Sequence, residues 1–276
     1  MTDALIRHYD GGRDLVARAH QLLKEAGKDH GNLTNDDLAG LDEFHVRGRE
    51  ATLSLAARLA LTGRERVLDV GSGIGGPARR LAALHPGIEV VGIDLSPEFC
   101  RLATELTRLV RLEARVRFEA ADATAIPFHD ASFDIVWTQH VQMNIADKKR
   151  FYAEIHRVLR QGGRLAFYDI LRGPGGPVVY PTPWAADATM SHVAAPAAVR
   201  MLLARTGFAI EVWEDVTQAG REWVAKRATA APPAHGVTVA RLLGEANAAG
   251  VANMPRNLDE GRIALVEAIA RKAPVP

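Results

Sequence analysis

The sequence predicts an α/β fold, a doubly wound and largely parallel sheet with helices on both faces and a helical cap in front. Three observations carry this reading. From Arg66 onward, short apolar runs alternate with segments of helix-like periodicity, which implies a parallel sheet with right-handed crossovers. The first apolar run ends in the glycine cluster of "VLDVGSGIGG", a strand-to-helix turn. Residues 1–62 instead read as helices, with no strand pattern of their own.

Taken in order, "DLVARAHQLLKEAG" has helical spacing ended by Gly27, and "GREATLSLAARLAL" is rich in helix formers. These form an expected N-terminal cap over residues 1–62, followed by the sheet domain over residues 63–276. "RVLDVG" is a short buried strand, and Pro77 suits the first turn of the helix "PARRLAAL". Then come the strand "EVVGIDL", the helix "PEFCRLATELTRL", the strands "RVRFEAAD" and "FDIVWTQ", the helix "KKRFYAEIHRVL" and the strand "RLAFYDI". Proline and glycine density marks 171–196 as an irregular excursion. After the helix "AAVRMLLARTG" and the strand "FAIEVWEDV", a helical or looped insertion is expected over 217–256. The closing segment "RIALVEAIARK" fits either a strand or a helix. Both excursions, with the N-terminal helices, are expected to form a lid over the carboxyl edge of the sheet, where ligands of such sheets collect.

Composition narrows the partners. The 276 residues carry 34 Lys and Arg against 33 Asp and Glu, a formal charge of +1, which provides no strong field for nucleic acid or anionic membrane. The basic run from Arg108 to Arg117 alternates Arg with apolar residues, as the solvated face of a helix does. Cys100 is the only cysteine, so no intramolecular disulfide forms. The start "MTDALIRHYDGG" lacks a secretory pattern, and no apolar run reaches the roughly 18 residues that span a bilayer. A soluble cytoplasmic protein with a small-molecule partner is expected, with no nucleic acid or membrane association. The histidines show no metal-ligand spacing, so no metal is expected.

Gly71, Gly73 and Gly76 fit the G-x-G-x-x-G spacing of a dinucleotide site, a weak signal alone. A pyrophosphate there needs backbone N–H groups and a positive helix end, and Asp69, at the end of the strand, opposes it. S-adenosylmethionine brings an ammonium and a sulfonium instead, which a carboxylate at Asp69 favours. Asp94, ending "VVGID", can accept both hydroxyls of a ribose, which either cofactor carries. Asp122 is placed to accept an adenine amino group while the Ala123 N–H donates to the ring. No Tyr is followed four residues later by Lys, since "YAEIH" ends in His156; this removes one chemistry of nicotinamide oxidoreductases. Such an oxidoreductase, and a catalytically silent adenosyl-binding protein, stay as the alternatives.

The stretches "VLDVGSGIGG", "GIDLS", "AADATAIPFHDASFDIVWTQHV" and "EIHRVLRQGGRLAFYDI" resemble the class I S-adenosylmethionine-dependent methyltransferases. Within them the chain is similar to the small-molecule branch that includes sarcosine/dimethylglycine, tocopherol-type, quinone-ring and sugar O-methyltransferases. The resemblance covers roughly residues 64–215. It implies a Rossmann-like seven-stranded sheet with the last strand antiparallel, binding of S-adenosylmethionine and release of S-adenosylhomocysteine. It also implies Asp69, Gly71 and Gly73 around the methionyl part, Asp94 at the ribose, and Asp122 with Ala123 at the adenine. Leu95 would then pack on the adenine face, and Gln139 would lie beside the methionine moiety. The long insertion beyond Thr217 departs from the family and leaves the acceptor unassigned.

Methyl transfer is an in-line displacement that mainly requires alignment and exclusion of water, with a base added for a hydroxyl acceptor. His140, just past the fourth strand, is the candidate base, and Asp169, at the end of the fifth, could orient it. The resemblance supports both, since family members acting on sugar hydroxyls carry His and Asp at these strand ends. The competing readings are a structural hydrogen-bonding histidine and an aspartate that begins a turn. His45 could reach the pocket from the cap. Among Tyr9, Phe44, Trp137, Tyr168, Tyr180 and Trp184, the residues Tyr180 and Trp184 of "YPTPWA" are the favoured rim, and Tyr9 is a further wall candidate. O- or N-methylation is favoured and C-methylation stays open.

Overall fold

The computed structural model describes residues 2–11, 13–28, 31–229, 237–244 and 250–273. Four helices come first: α1 (Thr2–Asp10), α2 (Leu15–Glu25), α3 (Ala39–Asp42) and α4 (Arg49–Leu59). The alternating section follows as β1 (Arg66–Val70), α5 (Gly76–Leu84), β2 (Glu89–Asp94), α6 (Pro97–Leu109), β3 (Val116–Ala120) and β4 (Phe133–Gln139). A 3-10 turn at Gln142–Asn144 leads to α7 (Lys148–Val158), β5 (Leu159–Arg172), α8 (Pro196–Thr206) and β6 (Phe208–Asp215). The chain ends with α9 (Thr217–Thr229), α10 (Val239–Leu243), α11 (Met254–Asp259) and β7 (Ile263–Lys272). Parts of the expected 217–256 insertion, 230–236 and 245–249, lie outside the described residues.

The strand order is β3-β2-β1-β4-β5-β7-β6. Pairs among β1 to β5 are parallel, with Leu68 of β1 level with Val91 of β2 and Val136 of β4. β7 runs antiparallel to both β5 and β6. The seven-stranded sheet with an antiparallel last strand is therefore present. The chain leaves β1 to one side for β2 and β3, then crosses back to β4 on the other. That reversal opens a crevice at the carboxyl ends of β1 and β4, where ligands bind in doubly wound sheets.

Both faces are covered, which explains the nearly continuous apolar character of the strands. On one face Val67, Val90, Ile135, Tyr168 and Leu265 pack with Leu55, Leu59, Ala78 and Leu81 of α4 and α5. On the other, Leu68, Val91, Val136, Phe167 and Val266 pack with Phe151, Ile155, Val199 and Leu203 of α7 and α8. The ambiguous closing segment is a strand because a slot exists between β5 and β6 that satisfies its backbone on both edges. Its residues divide by parity, Leu265 and Ile269 to one core and Val266, Ala268 and Ala270 to the other.

Glu267, fully buried in β7, ties the cap to the sheet. It accepts from Arg47 Nη1 at 2.7 Å, Ser54 Oγ at 2.9 Å and Arg58 Nε at 3.0 Å. A second tie joins α3 to α5. Adding a Cβ to Gly76 would bring it 2.1 Å from the Asp42 carbonyl oxygen, so the third glycine of the cluster is used to let the cap approach. Among the described residues no helix is long and apolar enough to cross a membrane.

Candidate active site

The crevice is the mouth of a cavity of about 840 Å³. Its floor is the turn after β1. Gly71 takes φ +71 and its N–H donates to Ile93 O at 2.8 Å. A Cβ there would meet Val141 Cγ2 at 2.3 Å, so both the angle and the space require glycine. Gly73, at φ +53, has no heavy atom within 4 Å of where its Cβ would be. This turn therefore presents bare backbone to the cavity.

Two carboxylates flank that backbone. Asp94, at the end of β2, accepts from Gly73 N and Ser96 N, each at 2.9 Å. Burial raises its pKa, while N–H groups of Ser96, Gly73 and Leu95 oppose the rise. Asp69 is only 2% exposed, and its Oδ2 is buried without a hydrogen-bond partner. Burial, and then the Asp94 charge, push Asp69 up to about 8. Leaving such a group unpaired is costly, and a cationic ligand group would relieve it. Further along the carboxyl edge, Leu95, Asp122 and Ala123 also line the cavity. The Asp122 side chain is held by Thr124 N at 2.7 Å and Thr124 Oγ1 at 2.8 Å.

The end of β4 carries Gln139 and His140. Gln139 Oε1 accepts from Trp137 Nε1 at 2.9 Å and Thr52 Oγ1 at 3.2 Å, which fixes the amide at the cavity wall. His140 has φ +53 and donates its backbone N–H to Tyr168 O at 2.8 Å. Its ring lines the cavity and its Nε2 has no partner. Burial, and then the nearby His45, hold the His140 imidazole well below the ordinary histidine range, so it is neutral at physiological pH.

His45 lies 5.8 Å from His140 between ring centroids, tethered by Nε2 to Gly48 O at 2.8 Å and close to Gln139 Nε2 at 3.2 Å. It too lines the cavity, so the structure brings the cap histidine to the strand-end pair.

Of the two readings of Asp169, orienting His140 or starting a turn, its hydrogen bonds match the second. Asp169 is fully buried, and its oxygens accept from Val141 N at 3.1 Å, Gln142 N at 3.0 Å and Ile170 N at 2.9 Å. The open backbone donors of the 3-10 turn hold the carboxylate away from the imidazole ring. Burial pushes its pKa up to about 6 against those three N–H groups. Asp169 thus anchors the turn that follows His140.

Tyr9 and Trp184 line the cavity; Tyr180 does not, and packs against the first-face core instead. Tyr9 Oη donates to Asn144 Oδ1 at 2.7 Å, and Asn144 Nδ2 donates to Trp184 O at 2.7 Å. Asn144 therefore links α1 to the 171–196 excursion. Sequence reading missed it, along with Thr52, Met143, Trp223, Val224 and Met254, because none stands in a motif or periodic pattern. Among the described residues no group of three or more His, Cys, Asp or Glu could hold a metal.

Residues 68–167 match the family model described as a methyltransferase domain. Over that span the chain is similar to a methyltransferase domain. That span runs from β1 into β5 and contains Asp69, Asp94, Asp122, Gln139 and His140. Around the domain, the chain is 35% identical over 159 residues to methyltransferase GfsG of Streptomyces halstedii, which is 57% of this chain and 57% of that protein. It is 37% identical over 145 residues to 27-O-demethylrifamycin SV methyltransferase of Amycolatopsis mediterranei, 52% of each. The chain thus spans little more than half the length of these relatives. Among solved structures, the [4+2]-cyclase SpnF is 26% identical with a TM-score of 0.67, over 96% of this chain and 95% of that one. Geranyl diphosphate C-methyltransferase from Streptomyces coelicolor shares the fold at 17% identity and a TM-score of 0.70, over 99% and 98%.

Proposed function

We propose that the methyltransferase domain binds S-adenosylmethionine and transfers its methyl group to a small-molecule acceptor, releasing S-adenosylhomocysteine. The observation that carries this is the buried, unpartnered Asp69 carboxylate beside the bare backbone of Gly73. A buried carboxyl there pairs with an ammonium by giving up its proton, and offers no donor array to the pyrophosphate that the nicotinamide alternative needs. Asp69, Gly71 and Gly73 would hold the methionyl part, Asp94 the ribose, Leu95, Asp122 and Ala123 the adenine, and Gln139 the side of the amino acid. We also assign residues 1–62 to a cap, 171–196 and 217–256 to a lid over domain 63–276, and the protein to the cytoplasm.

When bound, S-adenosylmethionine supplies an electrophilic methyl carbon: the acceptor's lone pair forms the new bond while the C–S electron pair stays on sulfur. The chain's own residues position and deprotonate. The turn anchored by Asp169 sets His140, whose free Nε2 takes the proton of a hydroxyl acceptor. His45, Tyr9 and Trp184 close the site against water.

Calorimetric titration with S-adenosylmethionine, S-adenosylhomocysteine and NADH in parallel tests the cofactor. Micromolar-range binding of the first two, weakened by Asp94→Ala, is expected; binding of NADH alone would refute the reading. The end-to-end likeness to a cyclase supports a second reading, in which the adenosyl ligand is held but no methyl moves. Mass spectrometry of acceptor incubations separates them, because methyl transfer adds one methyl and cyclisation leaves the mass unchanged.

A further inference from the structure

The cavity has a second character beyond the acidic crevice. Its volume of about 840 Å³ falls near the upper end of the roughly 300–1,000 Å³ of small-molecule pockets, which leaves room for a second ligand. The walls supplied after β4 and by the lid segments are apolar: Met143, Trp184, Trp223, Val224, Met254 and Pro255. The carboxylates lining the cavity come from the β1, β2 and β3 ends and from the cap loop at Asp42 and Glu43. Among the described lining residues, Arg227 is the one Lys or Arg side chain; it is exposed, and its guanidinium lies 4.7 Å from the centre of the Trp223 ring.

The polar groups around these walls are already used. Tyr9 Oη and both ends of the Asn144 amide are bonded within the protein, and Trp184 Nε1 donates to Ser191 Oγ at 2.9 Å. His140 also lines the cavity on this side, and its Nε2 is a buried atom without a hydrogen-bond partner. A phosphate ester is best held by convergent cationic side chains, and Arg227 is the one Lys or Arg among the described lining residues. On the aromatic wall, one face of Trp223 is already taken by the Arg227 guanidinium.

Resting on the methyl-transfer reading, we infer that the acceptor is a bulky, uncharged, largely apolar molecule that presents one hydroxyl group to His140, rather than a phosphorylated or cationic metabolite. The hydroxyl oxygen forms the bond to the methyl carbon, its proton passes to His140 Nε2, and the C–S electron pair remains on the thioether.

The test titrates the full chain with the uncharged fluorescent probe N-phenyl-1-naphthylamine, with and without S-adenosylhomocysteine. Probe binding is expected, with displacement by 1-naphthol and none by phosphoethanolamine or geranyl diphosphate at equal concentration. Val224→Lys, which sets a cation in the wall, should weaken the probe about tenfold or more, equivalent to about 1.4 kcal/mol, while Val224→Leu retains it. Displacement by either phosphate compound ahead of 1-naphthol, or unchanged probe affinity in Val224→Lys, overturns the inference. S-adenosylhomocysteine affinity, measured by calorimetry without probe, reports the folding of each variant and judges the cofactor reading separately: its loss in the wild type sinks that reading while the probe titration still judges the wall.

Discussion

The Arg79 guanidinium of α5 reaches Asp42 of the cap at 2.6 Å, and neither side chain is more than 2% exposed. Arg79 also donates to Ile74 O at 2.7 Å, inside the glycine turn. The pair therefore joins the cap to the ligand-facing backbone. Removing one partner of a buried ion pair leaves an uncompensated charge. Asp42→Ala should cost about 3–5 kcal/mol in urea unfolding and weaken S-adenosylhomocysteine. A loss below about 1 kcal/mol would show that the pair does not hold the cap.

Asp69 should couple ligand binding to proton release. With its pKa near 8 it is mostly protonated at pH 7, and an ammonium partner favours the carboxylate. Affinity for S-adenosylmethionine should then rise from pH 6 to 8, with proton release visible when calorimetry is repeated in buffers of different ionisation enthalpy. Asp69→Asn should abolish both. Proton uptake instead would contradict the pairing.

The same shift makes a stability prediction. An acid whose folded pKa is raised contributes most below its unfolded pKa of 3.8 and loses that contribution as pH climbs to its folded value. For Asp69 the window runs from 3.8 to about 8. The wild type should therefore lose up to about 1.4 kcal/mol per pH unit relative to Asp69→Asn across that window. Taking the difference cancels the opposing effect of the buried histidines, whose lowered pKa values destabilise the fold on the acid side. A pH-independent difference between the two unfolding curves would argue against a buried neutral acid.

His140 and Asp169 should fail in different ways. His140→Ala should lower kcat by about 10²–10⁴-fold for a hydroxyl acceptor, with little change in cofactor affinity, and remove an acid limb that lies below pH 6.5 in the wild type. Asp169→Ala should lower both stability and kcat, because three backbone donors lose their acceptor. Unchanged turnover in His140→Ala with the true acceptor would remove it from the mechanism.

Gly71→Ala should be poorly tolerated, since φ +71 and the 2.3 Å approach to Val141 act together. A stability loss of about 1–3 kcal/mol is expected. Val141→Ala on the same chain should restore part of it, leaving the backbone strain. No recovery in the double variant would assign the whole effect to φ.

Much of the architecture was legible in the chain because periodicity is local. Strand and helix spacing from Arg66 to Asp215 marks the alternating units, and an acid at each of the first strand ends marks the crevice. Those residues were found because a strand end must lie at the carboxyl edge whatever surrounds it. "RIALVEAIARK" was undecided because its apolar pattern suits a helix or a strand, and only the vacant slot between β5 and β6 selects one. Whether Asp169 serves His140 or the following turn was open for a similar reason: both readings fit a strand end, and the backbone N–H groups of Val141, Gln142 and Ile170 are what the carboxylate accepts from in the fold.

What the sequence by itself determined is the strand-turn-helix frame and the acids and glycines that its turns must carry, since these follow from contacts within a few residues. Tertiary structure decided which groups remain unsatisfied. Asp69 Oδ2 is buried without a partner, whereas Asp94 accepts from the N–H groups of Gly73 and Ser96. His140 Nε2 lacks a partner while Asp169 accepts from three backbone donors, and one wall of the cavity is apolar because segments distant in sequence bring Trp184, Trp223 and Met254 together. Burial and the competition for donors act between residues far apart in the chain, and no local pattern records them.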